Sequence, residues 1–160
     1  MSRNYPLVMT NGRLPYFHHS TLRNVPWLRE MYPAPEVWIN PADAETYGVA
    51  NGDWIWIESQ RGRIRGIANL TQGIGRGVVY MERYWNPETL DTPTRGWQEM
   101  NVNMLSKSAA PYNDIVGTYT LRGYQVRIYK AEEGAPEGVW LKPQDFKPWL
   151  PEYSDPTPQL

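Results

Sequence analysis

A mostly β barrel is the fold class this sequence predicts, on three observations. Trp54–Ser59, Arg63–Leu70 and Tyr124–Lys130 carry the two-residue alternation of half-buried strands. Pro 15 and Gly 13 in 160 residues call for many turns and short elements rather than long helices. Only one segment carries a full set of helix-boundary signals, and no strand–helix–strand repeat is present, which argues against a Rossmann-type sheet.

In chain order, Leu7–Thr10 reads as a short apolar strand that turns on Asn11-Gly12. Val25–Tyr32 reads as a helical turn, broken by Pro33 and Pro35. Val37–Ile39 is a brief strand. The clear helix follows: Asn40 caps it, Pro41 opens it, acids occupy its first turn and Gly48 ends it. Asn51-Gly52-Asp53 turns the chain into the strand Trp54–Ser59, and Gln60-Arg61-Gly62 makes a hairpin into Arg63–Leu70. Along that second strand Ile64, Ala68 and Leu70 face one side, and Arg63 and Arg65 the other, expected to be a solvated face. A turn holding Gly73, Gly75 and Gly77 leads to the strand Val78–Met81. It precedes a strand, not a helix, and so fails the context of a phosphate loop. Residues 82–113 read as irregular, and a connection this long in a compact domain is usually functional. The strand Tyr124–Lys130 closes the barrel domain, taken as 1–130, and 131–160 reads as an extended tail wrapping a surface.

Composition narrows the function classes. A net charge of −1 gives no overall basic field, so nucleic acid is not the expected partner. With no cysteine there are no disulfides, thiolate metal sites or Cys nucleophile, and prokaryotic cytoplasm and periplasm both remain open. No apolar run approaches the roughly 20 residues of a membrane helix. Trp 8 and Tyr 11 against Phe 2 favour half-buried and interface positions over a dry core. Trp54 and Trp56 are expected to pack against a covering domain or the tail.

The chemistry-bearing stretch is Leu7–Arg23, LVMTNGRLPYFHHSTLR, a strand running into a donor-rich loop. Arg13, His18, His19, Ser20, Thr21 and Arg23 supply forked donors, tunable imidazoles and hydroxyls, a set suited to an anionic ligand rich in heteroatoms. An ordinary polar surface loop has the same composition. Adjacent histidines usually point apart, and no further His or Cys is present to complete a metal site. Acids such as Glu82 and Glu88 are plentiful, but nothing in the sequence pairs them for hydrolysis, and Asp43 and Glu45 belong to a capped helix.

Three stretches in order carry a resemblance. TNGRLPYFHHSTLR comes first, and VWINPADAETYGVANGDWIWIESQRGRIRGIANLTQGIGRGVVYM second. NVNMLS, followed by Asp114 and GTYTLRGYQVRI, completes the set. From about Leu7 to Lys130 the chain resembles the C-terminal molybdopterin-dinucleotide-binding domain of the dimethyl-sulfoxide-reductase family of molybdenum and tungsten oxidoreductases. The resemblance implies a double-psi β-barrel that lies as a lid over a bis(molybdopterin guanine dinucleotide) cofactor and shapes the substrate funnel. It implies cofactor contacts from Thr10, Asn11, Gly12, Arg13, His18 and His19, with Ser20 and Arg23 just beyond. It adds Asn103, in the place of the Asn of an N-x-L-[ST] motif, and Arg122, where the family often has a Lys, Arg or Gln.

The resemblance places molybdenum or tungsten, its protein ligand and any iron–sulfur cysteines in other domains. The expected partners are therefore the remaining catalytic domains. A further candidate is an iron–sulfur electron-transfer subunit, and the domain alone is expected to be inactive. The competing reading is a stand-alone double-psi barrel that binds a peptide or protein, supported by the Trp/Tyr-rich surface and the long tail.

Overall fold

The computed structural model describes residues 3–19, 21–22, 25–83, 97–106, 113, 115–117 and 122–133. Its strands are β1 (Leu7–Gly12), β2 (Glu36–Ile39), β3 (Trp54–Glu58), β4 (Arg63–Leu70), β5 (Val78–Glu82) and β6 (Tyr124–Lys130). They close into a barrel in the order β1-β5-β2-β4-β3-β6. Two neighbouring pairs are parallel: β1 with β5, where Asn11 faces Met81, and β2 with β4, where Val37 faces Ala68. The other four pairings are antiparallel.

It follows that β1, β3 and β5 run one way and β2, β4 and β6 the other. The connections 13–35, 59–62 and 83–123 therefore all leave and re-enter the barrel at one end, called the upper end below. The connections 40–53 and 71–77 belong to the lower end.

Inward-facing residues interdigitate as one core, with Met9, Val37, Ile39, Ile55, Ile57, Ile64, Val79, Met81 and Val126 wholly buried. At the lower end, helix α2 (Pro41–Thr46) forms as its boundary signals dictate. Asn40 accepts from the Ala42 amide at 3.1 Å and donates to the Ile74 carbonyl at 2.9 Å. The Asp43 carboxylate accepts from the Gly77 amide at 2.6 Å, so that acid serves the 71–77 turn.

Three local expectations change. Asn11 and Gly12 belong to β1, because β5 continues alongside and pairs them with Met81 and Glu82. Helix α1 (Pro26–Met31) forms where a helical turn was expected, whereas 82–113, expected to be mostly irregular, also holds a helix α3 (Trp97–Met100) and a 3₁₀ turn (Val102–Leu105). Arg65 is not solvated: it is 7% exposed, with its guanidinium 4.6 Å from the Trp56 ring centroid. Trp56 itself donates from Nε1 to Glu133 at 3.3 Å, where the expected tail begins; the tail beyond Glu133 lies outside the described residues.

Gly66 lets β4 lie close against the start of β2. A Cβ there would come within 2.6 Å of Val37 Cγ2 and 3.2 Å of the Pro35 carbonyl. Gly66→Ala is expected to lower stability by about 1–3 kcal/mol through overpacking, read as a lower urea midpoint with an unchanged slope.

Candidate functional site

The upper end is built on a second buried cluster. Phe17, Leu28 and Tyr32 from the first long connection pack with Met100 of α3 from the second, and Leu14, Val25 and Trp54 close around them. Apolar contact thus fastens the two connections to each other. Beneath them the Tyr32 hydroxyl donates to Glu82 Oε2 at 3.1 Å and accepts from the Glu36 amide at 3.1 Å. Burial, then the charges of Glu82 and Glu36, push the Tyr32 phenol far above its ordinary value. It stays protonated and keeps donating to a carboxylate that is only 1% exposed.

Beside this floor, backbone hydrogen bonds gather three arginines. Arg13 directly follows β1. The Arg83 amide donates to the Gly12 carbonyl at 3.1 Å, and the Gly123 amide donates to Met9 at 2.9 Å, setting Arg122 next to the end of β1. Tyr80 lies among them, opposite Thr10 in the register. A Cβ at Gly12 would meet its hydroxyl at 2.7 Å and its Cε2 at 2.8 Å, so the glycine is what lets the ring lie against β1. On the other side the ring packs on Trp38 at 4.9 Å between centroids. The Tyr80 phenol is pushed up by burial and by Glu82, against the opposing charges of Arg83 and Arg122.

His19 joins the same corner in a left-handed backbone conformation, φ 55°. Its ring meets His18 edge to face, centroids 4.7 Å apart, so the neighbours do not point apart as expected. Desolvation, then the charges of Arg13, His18 and Arg83, hold the His19 imidazole below its ordinary value. At neutral pH it is therefore an uncharged donor and acceptor among guanidinium groups. Among the described residues no group of three His, Cys, Asp or Glu gathers to hold a metal.

Asn103 belongs to the same end but to another part of its rim. Its 3₁₀ turn packs on the β3–β4 hairpin, where Ser59 Oγ donates to the Leu105 carbonyl at 3.1 Å. In the ring of strands β4 lies three places from β1. The Asn103 amide donates to Asn101 Oδ1 at 3.0 Å and its carbonyl accepts from Ser106 Oγ at 2.9 Å, which fixes the backbone and leaves the side chain exposed. The structure thus brings Thr10, Gly12, Arg13, His18, His19 and Arg122 to one rim and Asn103 across the same mouth, whereas Asn11 faces inward with Leu7 and Met9 and is only 4% exposed. Ser20 and Arg23 lie outside the described residues.

Sequence reading missed Arg83 and Tyr80. Their signal is the parallel β1–β5 register, which sets the end of one strand beside the end of the other and has no local trace. Six exposed apolar residues also lie on the upper connections: Tyr16, Leu22, Trp27, Met31, Ile115 and Val116.

Compared with known proteins, residues 7–123 match the family described as "Molydopterin dinucleotide binding domain". The chain belongs to that family. This molybdopterin-dinucleotide-binding domain is 45% identical over 133 residues to a dopamine dehydroxylase of Eggerthella lenta, spanning 81% of the chain and 13% of that protein. It is 26% identical over 165 residues to a sulfite dehydrogenase polypeptide of Allochromatium vinosum, spanning 92% of the chain and 16% of that polypeptide. In fold it is similar to acetylene hydratase from Pelobacter acetylenicus, with a TM-score of 0.73 at 24% identity, over 79% of this chain and 18% of that one. The domain is therefore a molybdopterin-dinucleotide-binding domain of the dimethyl-sulfoxide-reductase family, and it corresponds to a small part of much longer relatives.

Replacing Arg83 or Arg13 with Gln is expected to raise the His19 pKa part of the way toward its ordinary value. Desolvation, the largest cause of its depression, would remain. NMR titration of the imidazole checks this; an unmoved pKa in both variants would separate those arginines from His19.

Proposed function

We propose that this domain closes over a bis(molybdopterin guanine dinucleotide) cofactor whose molybdenum or tungsten is held by the other domains of a longer oxidoreductase. The carrying observation is that Arg13, Arg83, Arg122 and an uncharged His19 converge at the end where both long connections expose apolar side chains. A pterin is a flat ring rimmed by donors and acceptors, joined to a pyrophosphate. The donor set suits it: forked guanidinium groups for phosphate oxygens or ring edges, and the exposed carboxamide of Asn103 for paired amide contacts. When bound, such a cofactor supplies the metal at which the redox chemistry takes place.

The chain's own residues bind and orient. Arg13 and Arg122 hold negative charge along the β1 rim, Arg83 backs them, and Asn103 meets the ring from across the mouth. Thr10 and Gly12 set the strand from which Arg13 projects, with Tyr80 as its wall; Ser20 and Arg23 are further candidate contacts. The exposed apolar residues of the upper end are where the remaining catalytic domains lie, and the assembly is completed by an iron–sulfur electron-transfer subunit. The barrel domain is taken as 1–130, and the two parallel pairs support double-psi connectivity. Substrate choice lies with the other domains; similarity to a dopamine dehydroxylase makes dopamine dehydroxylation the first reaction to assay.

In the full-length enzyme, Arg13→Gln and Asn103→Ala should each weaken cofactor retention. A charge-assisted hydrogen bond lost with Arg13 contributes about 1.5–3 kcal/mol, and a neutral one lost with Asn103 about 0.5–1.5 kcal/mol. Pterin fluorescence and metal content per folded polypeptide measure this, and unchanged values in both variants would refute the assignment.

A further inference from the structure

We infer that Arg65 and Glu99 form a clamp that sets where Asn103 presents its carboxamide to the pterin. The inference rests on the cofactor role just proposed for Asn103. Arg65 projects from the outer face of β4, opposite Trp56 in the register, and stacks on its indole. Its Nε donates to Glu99 Oε2 at 3.1 Å and its Nη2 pairs with the same oxygen. Glu99 lies on α3, four residues before Asn103.

The short elements here need such a tether. One turn of helix followed by one 3₁₀ turn has too few internal hydrogen bonds to hold its own position, since nucleating a turn is unfavourable. Four links fix it instead. Upstream, the Arg65–Glu99 pair and the wholly buried Met100 bind α3 to β4 and to the second apolar cluster. Downstream, Ser59 holds the Leu105 carbonyl. Between them, Gly62 lets the Met104 carbonyl approach the hairpin; a Cβ there would meet that oxygen at 2.9 Å.

Among these links the charge pair is the directional one. A planar guanidinium, held between an indole and a carboxylate, fixes the angle of α3 as well as its distance. Arg65 touches no ligand in this scheme. It is a positioning residue that acts through Asn103.

The test compares Arg65→Met, Glu99→Gln and Asn103→Ala, singly and with Arg65→Met added to Asn103→Ala, in the full-length enzyme. Hydrogen exchange of residues 101–106 and pterin retained per folded polypeptide are both measured. Arg65→Met and Glu99→Gln are each expected to speed exchange in 101–106 while leaving the strands of the barrel unchanged. Each is expected to weaken pterin retention on the order of tenfold, the size of one neutral hydrogen bond. In the Asn103→Ala background Arg65→Met should weaken it no further, because residues acting through one contact are not additive. Glu99→Gln preserves side-chain shape and serves if Arg65→Met fails to fold.

Pterin loss in Asn103→Ala with full retention in both clamp variants overturns the clamp alone. The same fold loss from Arg65→Met with and without Asn103 also overturns it. Full retention in Asn103→Ala removes the cofactor role of Asn103, and this inference with it.

Discussion

Strand direction is the constraint on which the rest of this domain depends. A parallel pair cannot be joined by a tight turn, so placing β1 beside β5 forces the chain to travel before returning to the same wall. Closing six strands with two such pairs makes odd and even strands antiparallel in direction. Every odd-to-even connection then emerges at one end. Both long connections share that end with the β3–β4 hairpin, whatever their local sequences prefer.

The two ends consequently solve different problems. At the lower end the backbone is satisfied locally: Asn40 caps its helix and reaches Ile74, and Asp43 holds Gly77. Polar side chains there are consumed by the fold. At the upper end apolar contact between connections does the fixing, through Phe17, Leu28, Tyr32 and Met100. That leaves guanidinium, imidazole and carboxamide groups at the rim, with Trp27 and Ile115 exposed nearby.

What the sequence revealed follows the range of each interaction. β6 is found at Tyr124–Lys130 as read, and α2 has its cap, because alternation and capping are local. Asn11-Gly12 misled for the same reason: the pair is a strong turn signal, yet a partner strand seventy residues away in sequence keeps it extended. Arg65 shows the limit of periodicity. Alternation correctly assigns its side chain to the outer face, but cannot say that Trp56 and Glu99 cover that face. Candidate residues on β1 were legible from their chemistry. Arg83 was not, since its place beside Gly12 exists only in the closed barrel.

Local electrostatics explains how a chain of net charge −1 is compatible with the proposed anion site. Net charge bounds the distant field, whereas a ligand at the rim feels groups within a Debye length of about 10 Å. Arg13, Arg83 and Arg122, gathered around the end of β1, repel one another, and the arrangement does not add to that cost. Glu82 lies buried with the Tyr32 hydroxyl donating to it, so its carboxyl group is held by the fold and not by the rim. His19, with its pKa depressed, adds hydrogen-bonding capacity without adding another positive charge. What remains is a rim of guanidinium donors whose residual repulsion the proposed polyanion would relieve. A pyrophosphate does that over several oxygens at once, which a single neutral hydrogen-bonding ligand cannot.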